Sequence, residues 1–487
     1  MIFKQQNFLS LYIVAFFLIS VILILRVYNL NFDQLWWDEI IAFYTADPTL
    51  SFSQTVSRNF ELELSPPTFN LLLKFFFKIF GYHTYVGRYL SVIAGFLTCI
   101  IISLIVYDLT KRNFAYFLLS LLLSGINITL IGTSQEMRLY SFLILVVTAL
   151  IYFFNKLVNE KDLKIKKYYL IFFLTFAIFS VLIQPFTISL LCVSVIYILS
   201  FNRQNIKEFG LFLSSTLFSF IPIFFYYYFI YLNQIDTSLY PDSLGQIINF
   251  KFLTNLYFSK FFGSRLMGLI YLLILILLIF LNRKIIFKLN NFVFYLLLII
   301  VITYLIPIVY GFIFKPILIV RYVLFVLVPI LIFIPSQIYF IQNHLIKKFF
   351  LVIIMISTSL NLLTEQSFKQ FFFQRPIFKP DFYSAFKIIS QSDENNFTFS
   401  TKDRNSKHFL NIEKALNNFS NIYAAENDFE IKYISSKDLE NIKSKNIWLI
   451  CTYEINFQCE DELMNNKTKL VKEISLNRLN LKLLNIN

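Results

Sequence analysis

Runs of about 20 mostly apolar residues recur from Leu9 to about Leu363, and a run of that length is what one α-helix needs to cross a bilayer. Hydrocarbon offers backbone N–H and C=O groups no partner, so a chain built of such runs is confined to a bundle of membrane helices. Composition agrees: of 487 residues, 57% are hydrophobic and 61 are Phe, a balance foreign to soluble globular domains. The first run, Phe8 to Leu25, has no small-x-small cleavage site and further spans follow it. It reads as a retained first helix rather than a secretory signal.

Further spans are expected near Tyr89–Tyr107, Asn113–Gly132, Leu139–Phe154, Tyr168–Ile183, Phe186–Phe201, Phe209–Leu232, Arg265–Leu281, Phe292–Phe312, Ile317–Gln342 and Phe349–Leu363. A long polar loop, Arg26 to Leu64, follows the first span, and Ser51 to Phe60 within it suits a short surface helix. Thr68 to Phe80 is apolar but carries Lys74 and Lys78; it is short for a span and suits a tilted, partial or interfacial helix. From Glu365 onward the Phe-rich runs stop and Asp, Glu, Lys, Asn and Ser become frequent, with Pro376 and Pro380 marking a linker. In this tail Asn446 to Tyr453 reads as a strand and Ser436 to Lys443 as a helix. The expected fold is an all-α polytopic membrane protein of about 11–13 transmembrane helices. These occupy residues 1–364 together with the loop 26–64, and a small α/β domain occupies 365–487.

A net charge of +14 would suit a nucleic-acid binder, but the basic residues are scattered over short loops. That is the positive-inside pattern of membrane proteins, not a stripe tracking phosphates. Lys111-Arg112, Lys156 to Lys167, Arg203 to Lys207, Arg283 to Lys288 and Lys347-Lys348 are assigned to the cytoplasm. The alternate connections (Gly132 to Glu136, Gln184-Pro185, Asn233 to Gly263, Gly311 to Pro316) and the tail fall on the opposite side. Asp38 joins them if the first span carries the chain outward. Both statements agree only if Thr68–Phe80 does not cross as a simple span, or the alternation breaks elsewhere. Cys99 and Cys192 lie in apolar runs and read as core; Cys451 and Cys459 either pair in an oxidising compartment or are two free thiols. His83, His344 and His408 are dispersed, so neither a zinc site nor a serine hydrolase is indicated, and no Gly-rich phosphate loop is present.

Three constellations can carry chemistry. In Leu35-Trp36-Trp37-Asp38-Glu39, two adjacent carboxylates stand beside two tryptophans just after the first span. The bland reading is solvated carboxylates with interfacial anchors. The chemical one is a general base near a low-dielectric surface, where a raised pKa helps it accept a hydroxyl proton, with an adjacent acid to orient it or help hold a divalent metal. The second is Gly132 to Tyr140, where Glu136 and Arg138 lie on the same predicted side as Asp38; charges at a span edge either snorkel or serve function. The third is Arg321-Tyr322 and Arg88-Tyr89, each opening an apolar run. Each arginine either caps a helix end or pairs bidentately with a lipid phosphate.

These pieces, taken in order, resemble the membrane glycosyltransferases of the GT-C fold. The chain is most similar to the bacterial branch of the dolichyl-phosphate-mannose–protein mannosyltransferase superfamily (glycosyltransferase family 39-like), which includes the aminoarabinose transferases of lipid A. The resemblance rests on LWWDE (Leu35 to Glu39), SPPTFNLLL (Ser65 to Leu73), FGYHTYVGRYLS (Phe80 to Ser91), SQEMRLYS (Ser134 to Ser141), VRYVLFVLVP (Val320 to Pro329) and KPDFYSAFKII (Lys379 to Ile389). It implies a transferase of the cytoplasmic membrane's outer face, using a polyprenyl-phosphate sugar and a lipid, glycan or protein acceptor. It implies further that Asp38 and Glu39 are catalytic, Asp38 as the base and Glu39 supporting the base or the acceptor, and that Arg138, Arg321 and Arg88 meet the donor phosphate, with Glu136, Tyr140, Tyr322 and Trp37 supporting. Many relatives carry His before the Pro-Pro and the aminoarabinose branch a basic residue, whereas this chain has Ser65. That argues against the aminoarabinose branch, and the tail lacks the repeats of the eukaryotic protein mannosyltransferases.

Two other functions compete. A transporter or flippase of lipid-linked sugars would carry charges deep in mid-span and paired halves; here the charges cluster at span ends and in one outer loop. A surface-polysaccharide polymerase usually has its large loop later in the chain.

Overall fold

The computed structural model describes residues 2–63, 65–201, 260–287, 292–313, 318–363, 379–399, 407–435, 446–452 and 468–486, with scattered positions between 210 and 228. The helices used below are α1 (Ile2–Val27), α2 (Trp37–Thr45), α3 (Phe52–Leu62), α4 (Thr68–Phe80), α5 (Val86–Leu109), α6 (Phe114–Gly125), α7 (Ile128–Ser134) and α8 (Leu139–Asn159). Two compact units emerge: residues 1–28 with 89–371, and residues 29–88 with 372–487. The boundary expected from the sequence is 364/365, with the first loop among the membrane helices. By contacts, that loop and α4 belong with the tail.

In the first unit, seven helices among the described residues are long and apolar enough to cross a membrane. They are Ser10–Val27, Val86–Leu109, Leu139–Asn159, Leu163–Ile183, Phe292–Ile313, Arg321–Phe340 and His344–Leu363. The expected span Asn113–Gly132 is a broken pair instead, α6 and α7, bent by 62°. Two other expected spans are shorter apolar helices, Pro185–Leu199 and Arg265–Leu281. The span expected at Phe209–Leu232 lies largely outside the described residues, as do most of the loop Asn233 to Gly263, the linker residue Pro376 and the helix expected at Ser436 to Lys443.

The break between α6 and α7 has identifiable causes. Asn127 caps α7, its Oδ1 accepting from Leu130 N at 3.0 Å, which ends one helix and starts another. The α6 terminal carbonyl of Gly125 accepts from Arg26 Nη1 at 3.0 Å. Arg26, fully buried, also donates to Ile22 O at 3.1 Å and to the Cys99 thiol sulfur at 3.1 Å. α1 thus runs past the expected loop start at Arg26, and Cys99 is core as expected. Gln135 closes the turn after α7, donating from Nε2 to the carbonyls of Leu25 at 3.2 Å and Arg26 at 3.4 Å. Those are end-of-helix carbonyls with no partner inside α1.

Gly95 lets α5 approach this turn. A Cβ there would fall 1.9 Å from Ser134 Oγ and 2.9 Å from Ser134 Cβ. Gly95→Val is therefore expected to cost about 1–3 kcal/mol by overpacking, read as a lower thermal midpoint in detergent; an unchanged midpoint would mean that α5 and α7 part freely.

In the second unit, α4 has 13 residues, about 20 Å of helix against the ~30 Å of a hydrocarbon core. One face buries Phe69, Leu73, Lys74 and Phe77, while Phe75, Ile79 and Phe80 are exposed. Lys74 is buried; its ammonium donates to Thr55 Oγ1 at 2.9 Å, Ser51 O at 3.1 Å and Leu50 O. Helix α3, expected as a short surface helix, starts on a Ser51–Gln54 capping box. It is tied to α4 by Asn70 Nδ2 donating to Asn59 Oδ1 at 2.7 Å.

The tail contributes β1 (Asn396–Phe399), β2 (Lys432–Tyr433), β3 (Asn446–Thr452), β4 (Thr468–Leu476) and β5 (Leu479–Ile486) in a sheet of order β2-β1-β3-β5-β4. β2, β1 and β3 are parallel, β5 pairs antiparallel with β3, and β4 pairs antiparallel with β5. Parallel neighbours need a crossover, and helix Lys407–Glu426 supplies it between β1 and β2. The expected strand at Asn446 is β3, whose unbroken apolar run fits a strand covered on both faces. Helix Lys407–Glu426 also packs against α2 and α3, so the first loop and the tail share one core.

Candidate functional site

Helix α2 opens on the Trp-Trp-Asp-Glu stretch. Trp36 is extended at φ −93°, ψ 173°, and Trp37 begins the helix, which puts Asp38 and Glu39 in its first turn. Carboxylates are favoured at a helix N-terminus, where backbone N–H groups point outward and the dipole is positive. The two have opposite surroundings: Asp38 is half-buried, and Glu39 is fully buried.

Glu39 is held by cations. Arg88, at the start of α5, donates from Nε to Oε1 and from Nη2 to Oε2, both at 2.9 Å. Lys379 Nζ donates to Oε2 at 2.9 Å, and Trp36 N–H reaches the same oxygen at 3.4 Å. Lys379 also lies 6.0 Å from the Trp36 ring centre, within cation–π range.

The expectation that Arg88 meets a lipid phosphate is corrected here. A guanidinium has five N–H donors. Besides its two bonds to Glu39, Arg88 donates from Nη1 to Leu30 O at 2.6 Å and Asp33 O at 2.8 Å, and from Nη2 to Gln34 O at 3.3 Å. All five are spoken for inside the protein, and the residue is 2% exposed. Arg88 folds the loop before α2 around itself and fixes Glu39; it has nothing left for a ligand.

The far end of α2 is equally determined. Phe43 stacks on Tyr82 at 4.1 Å and 7°, and Tyr82 donates its hydroxyl to Phe43 O at 3.0 Å. Burial pushes the Tyr82 phenol well above its ordinary pKa, so it remains a donor. The turn after α4 is clamped by Glu426, whose carboxylate accepts from Thr84 N at 3.2 Å and Thr84 Oγ1 at 2.7 Å and contacts His83 Nδ1 at 3.3 Å. Ser65 donates to Glu63 Oε2 at 2.7 Å and is part of the loop's own framework.

The other candidates lie in the first unit. Arg138 is the N-cap residue of α8, extended at φ −137°, ψ 159°, and is 8% exposed. Its N–H donates to Glu136 O at 2.8 Å, a tight turn that brings Glu136 and Arg138 together. Tyr140 is buried in the first turn of α8. Arg321, exposed, and Tyr322, half-buried, sit in a 3-10 segment Val320–Val326 that packs against α8. The Tyr322 ring lies 5.4 Å from that of Phe186. Among the described residues, no three His, Cys, Asp or Glu side chains come together as a metal site.

Lys379 is a site residue that the sequence does not single out, although it opens the KPDFYSAFKII fragment. Tyr82, within the FGYHTYVGRYLS motif, and Lys74, a charge in an apolar stretch, are visible but without a role, and Glu426 carries no signal.

Residues 65–228 match the family model described as dolichyl-phosphate-mannose-protein mannosyltransferase. That stretch begins after Asp38 and Glu39. The fold is that of the crystal structure of ArnT from Cupriavidus metallidurans bound to undecaprenyl phosphate, at 10% identity and TM-score 0.57 over 96% of this chain and 97% of that one. The apo crystal structure of the same ArnT matches at 11% identity and TM-score 0.56, over 99% and 98%. By sequence, no curated protein matches significantly. The expected GT-C fold is thereby met.

Proposed function

We propose that this chain, with the GT-C fold of ArnT and a segment matching the mannosyltransferase family model, transfers a glycosyl residue from a polyprenyl-phosphate sugar to an acceptor hydroxyl. The acceptor is a lipid, glycan or protein at the outer face of the cytoplasmic membrane. One observation carries the reading most: the half-buried Asp38 stands in the first turn of a helix whose next residue, Glu39, is immobilised by Arg88 and Lys379. A base must be held while its neighbours are not free to compete for its proton. The ArnT structure bound to undecaprenyl phosphate supports a polyprenyl donor.

In this reading Asp38 takes the proton of the acceptor hydroxyl, and the oxygen attacks the anomeric carbon with inversion. The bond from that carbon to the phosphate oxygen breaks, and its electrons leave with the polyprenyl phosphate. The departing group needs charge stabilisation more than a proton, the role that the family resemblance assigns to Arg138 and Arg321, with Glu136, Tyr140 and Tyr322 as its supporting residues. Glu39 is assigned to orienting the helix and not to touching the acceptor, because it is fully buried. The possible divalent metal is assigned no residues.

The assignment of side is part of this reading: it takes α4 as not crossing and the bent pair α6 and α7 as one span, and then Lys111-Arg112 and Lys156 to Lys167 share the side of the N-terminus while the loop with Asp38 lies opposite. Cys451 is disulfide-bonded while Cys99 and Cys192 are free thiols, and Cys459 lies outside the described residues. A disulfide in the tail suits an oxidising exterior. Cys451→Ser is expected to cost about 2–5 kcal/mol, measured as a lower unfolding midpoint that reductant reproduces in the wild type.

The direct test is transfer of radiolabelled sugar by purified protein from polyprenyl-phosphate donors into lipid and glycan extracts. Incorporation is expected; none from any donor would sink the proposal and turn attention to transport of lipid-linked sugars.

A further inference from the structure

The buried cluster around Glu39 joins parts of the chain that sequence separates widely. Lys379 and Glu39 lie 340 residues apart. Lys379 stands at the start of the tail, and its backbone is pinned there: Asn477, in the turn between β4 and β5, donates from Nδ2 to Lys379 O at 3.1 Å and accepts from Asp381 N at 3.2 Å. Asp381 in turn caps the helix Phe382–Ser390, its Oδ1 accepting from Ser384 N at 3.0 Å. The tail therefore presents one ammonium to the first turn of α2 from a rigid mount.

Two cations face the single carboxylate of Glu39, and Arg88 alone already supplies a bidentate pair. Lys379 is not needed to neutralise Glu39; it adds a third fixed direction. Oε2 accepts from Arg88, Lys379 and Trp36 N–H together. The carboxylate can then neither rotate about its own axis nor slide along the guanidinium. Glu39 is one residue from Asp38 on the same helical turn, so the side chain that fixes Glu39 fixes the backbone from which Asp38 projects.

We propose that Lys379 is a positioning residue for Asp38, acting through Glu39, so that the tail completes the catalytic helix. The inference rests on the transferase reading for its kinetic arm only. A 1 Å misplacement of a reacting group can cost about 10²-fold in rate.

The experiment compares wild type, Lys379→Met and Lys379→Arg in full-length protein, by hydrogen exchange of the α2 amides and by transfer kinetics normalised to folded protein. Lys379→Met is expected to speed exchange in the first turn of α2 alone. It is also expected to lower kcat by about 10- to 100-fold with the donor KM within about twofold of wild type. Lys379→Arg is expected to restore both. Unchanged exchange in α2 would overturn the inference whatever the rate does. A raised donor KM with unchanged exchange would make Lys379 a phosphate ligand instead. Faster exchange throughout the second unit would reduce it to a general staple. If the wild type transfers nothing, the transferase reading falls, while the exchange data still decide whether Lys379 holds α2.

Discussion

Asp38→Asn is expected to lower transfer by about 10²–10⁴-fold, the usual share of a general base, while the unfolding midpoint stays within about 1 kcal/mol of wild type. The substitution is nearly isosteric and leaves the bonds of Glu39 to Arg88 and Lys379 in place. What it removes is the ability to accept a proton at a point where the helix N-terminus favours an anion. Equal transfer by the two proteins would remove Asp38 from the chemistry. A loss of transfer with a matching loss of folded protein would make it a structural residue.

Arg88→Met is expected to have the largest effect on stability, about 3–5 kcal/mol, because it breaks a fully buried ion pair and leaves one member behind. It also strands the carbonyls of Leu30, Asp33 and Gln34, which Arg88 now satisfies, each a buried acceptor that is costly to leave unmade. Glu39→Met should be comparably severe, since it leaves Arg88 and Lys379 facing each other without an anion. The double substitution Arg88→Met with Glu39→Met should be less destabilised than the sum, because the uncompensated buried charge is gone and Lys379 can extend toward solvent. Thermal unfolding of the four proteins measures the coupling. Strict additivity would mean that the pair contributes packing only.

The same residues explain what was legible in advance. Hydropathy runs, a helix over the first of them, the helix after Ser51, the strand at Asn446 and the shortness of Thr68–Phe80 are all local properties, and the structure shows each of them. The broken helix at Gly125–Asn127 was missed because its cause is not local. A glycine and an asparagine only become a break once Arg26 from another helix takes the freed carbonyl. Arg88 was misassigned for a related reason: an arginine at the mouth of a span has the same sequence signature whether its donors point outward to a phosphate or inward to a loop.

By itself the sequence determined that the chain is a bundle of membrane helices with a polar α/β tail, and it singled out the acidic pair after the first span as a candidate site. Backbone groups in hydrocarbon must be satisfied within the helix, and that requirement is written in runs of about 20 residues. Only the tertiary structure decided that the first loop folds with the tail, that Glu39 is the buried anchor and Asp38 the accessible acid, and that Arg88 and Lys379 hold the anchor. Those roles depend on which side chains meet across 49 and 340 residues of intervening chain, and a bond between distant residues leaves no periodicity in either partner's neighbourhood.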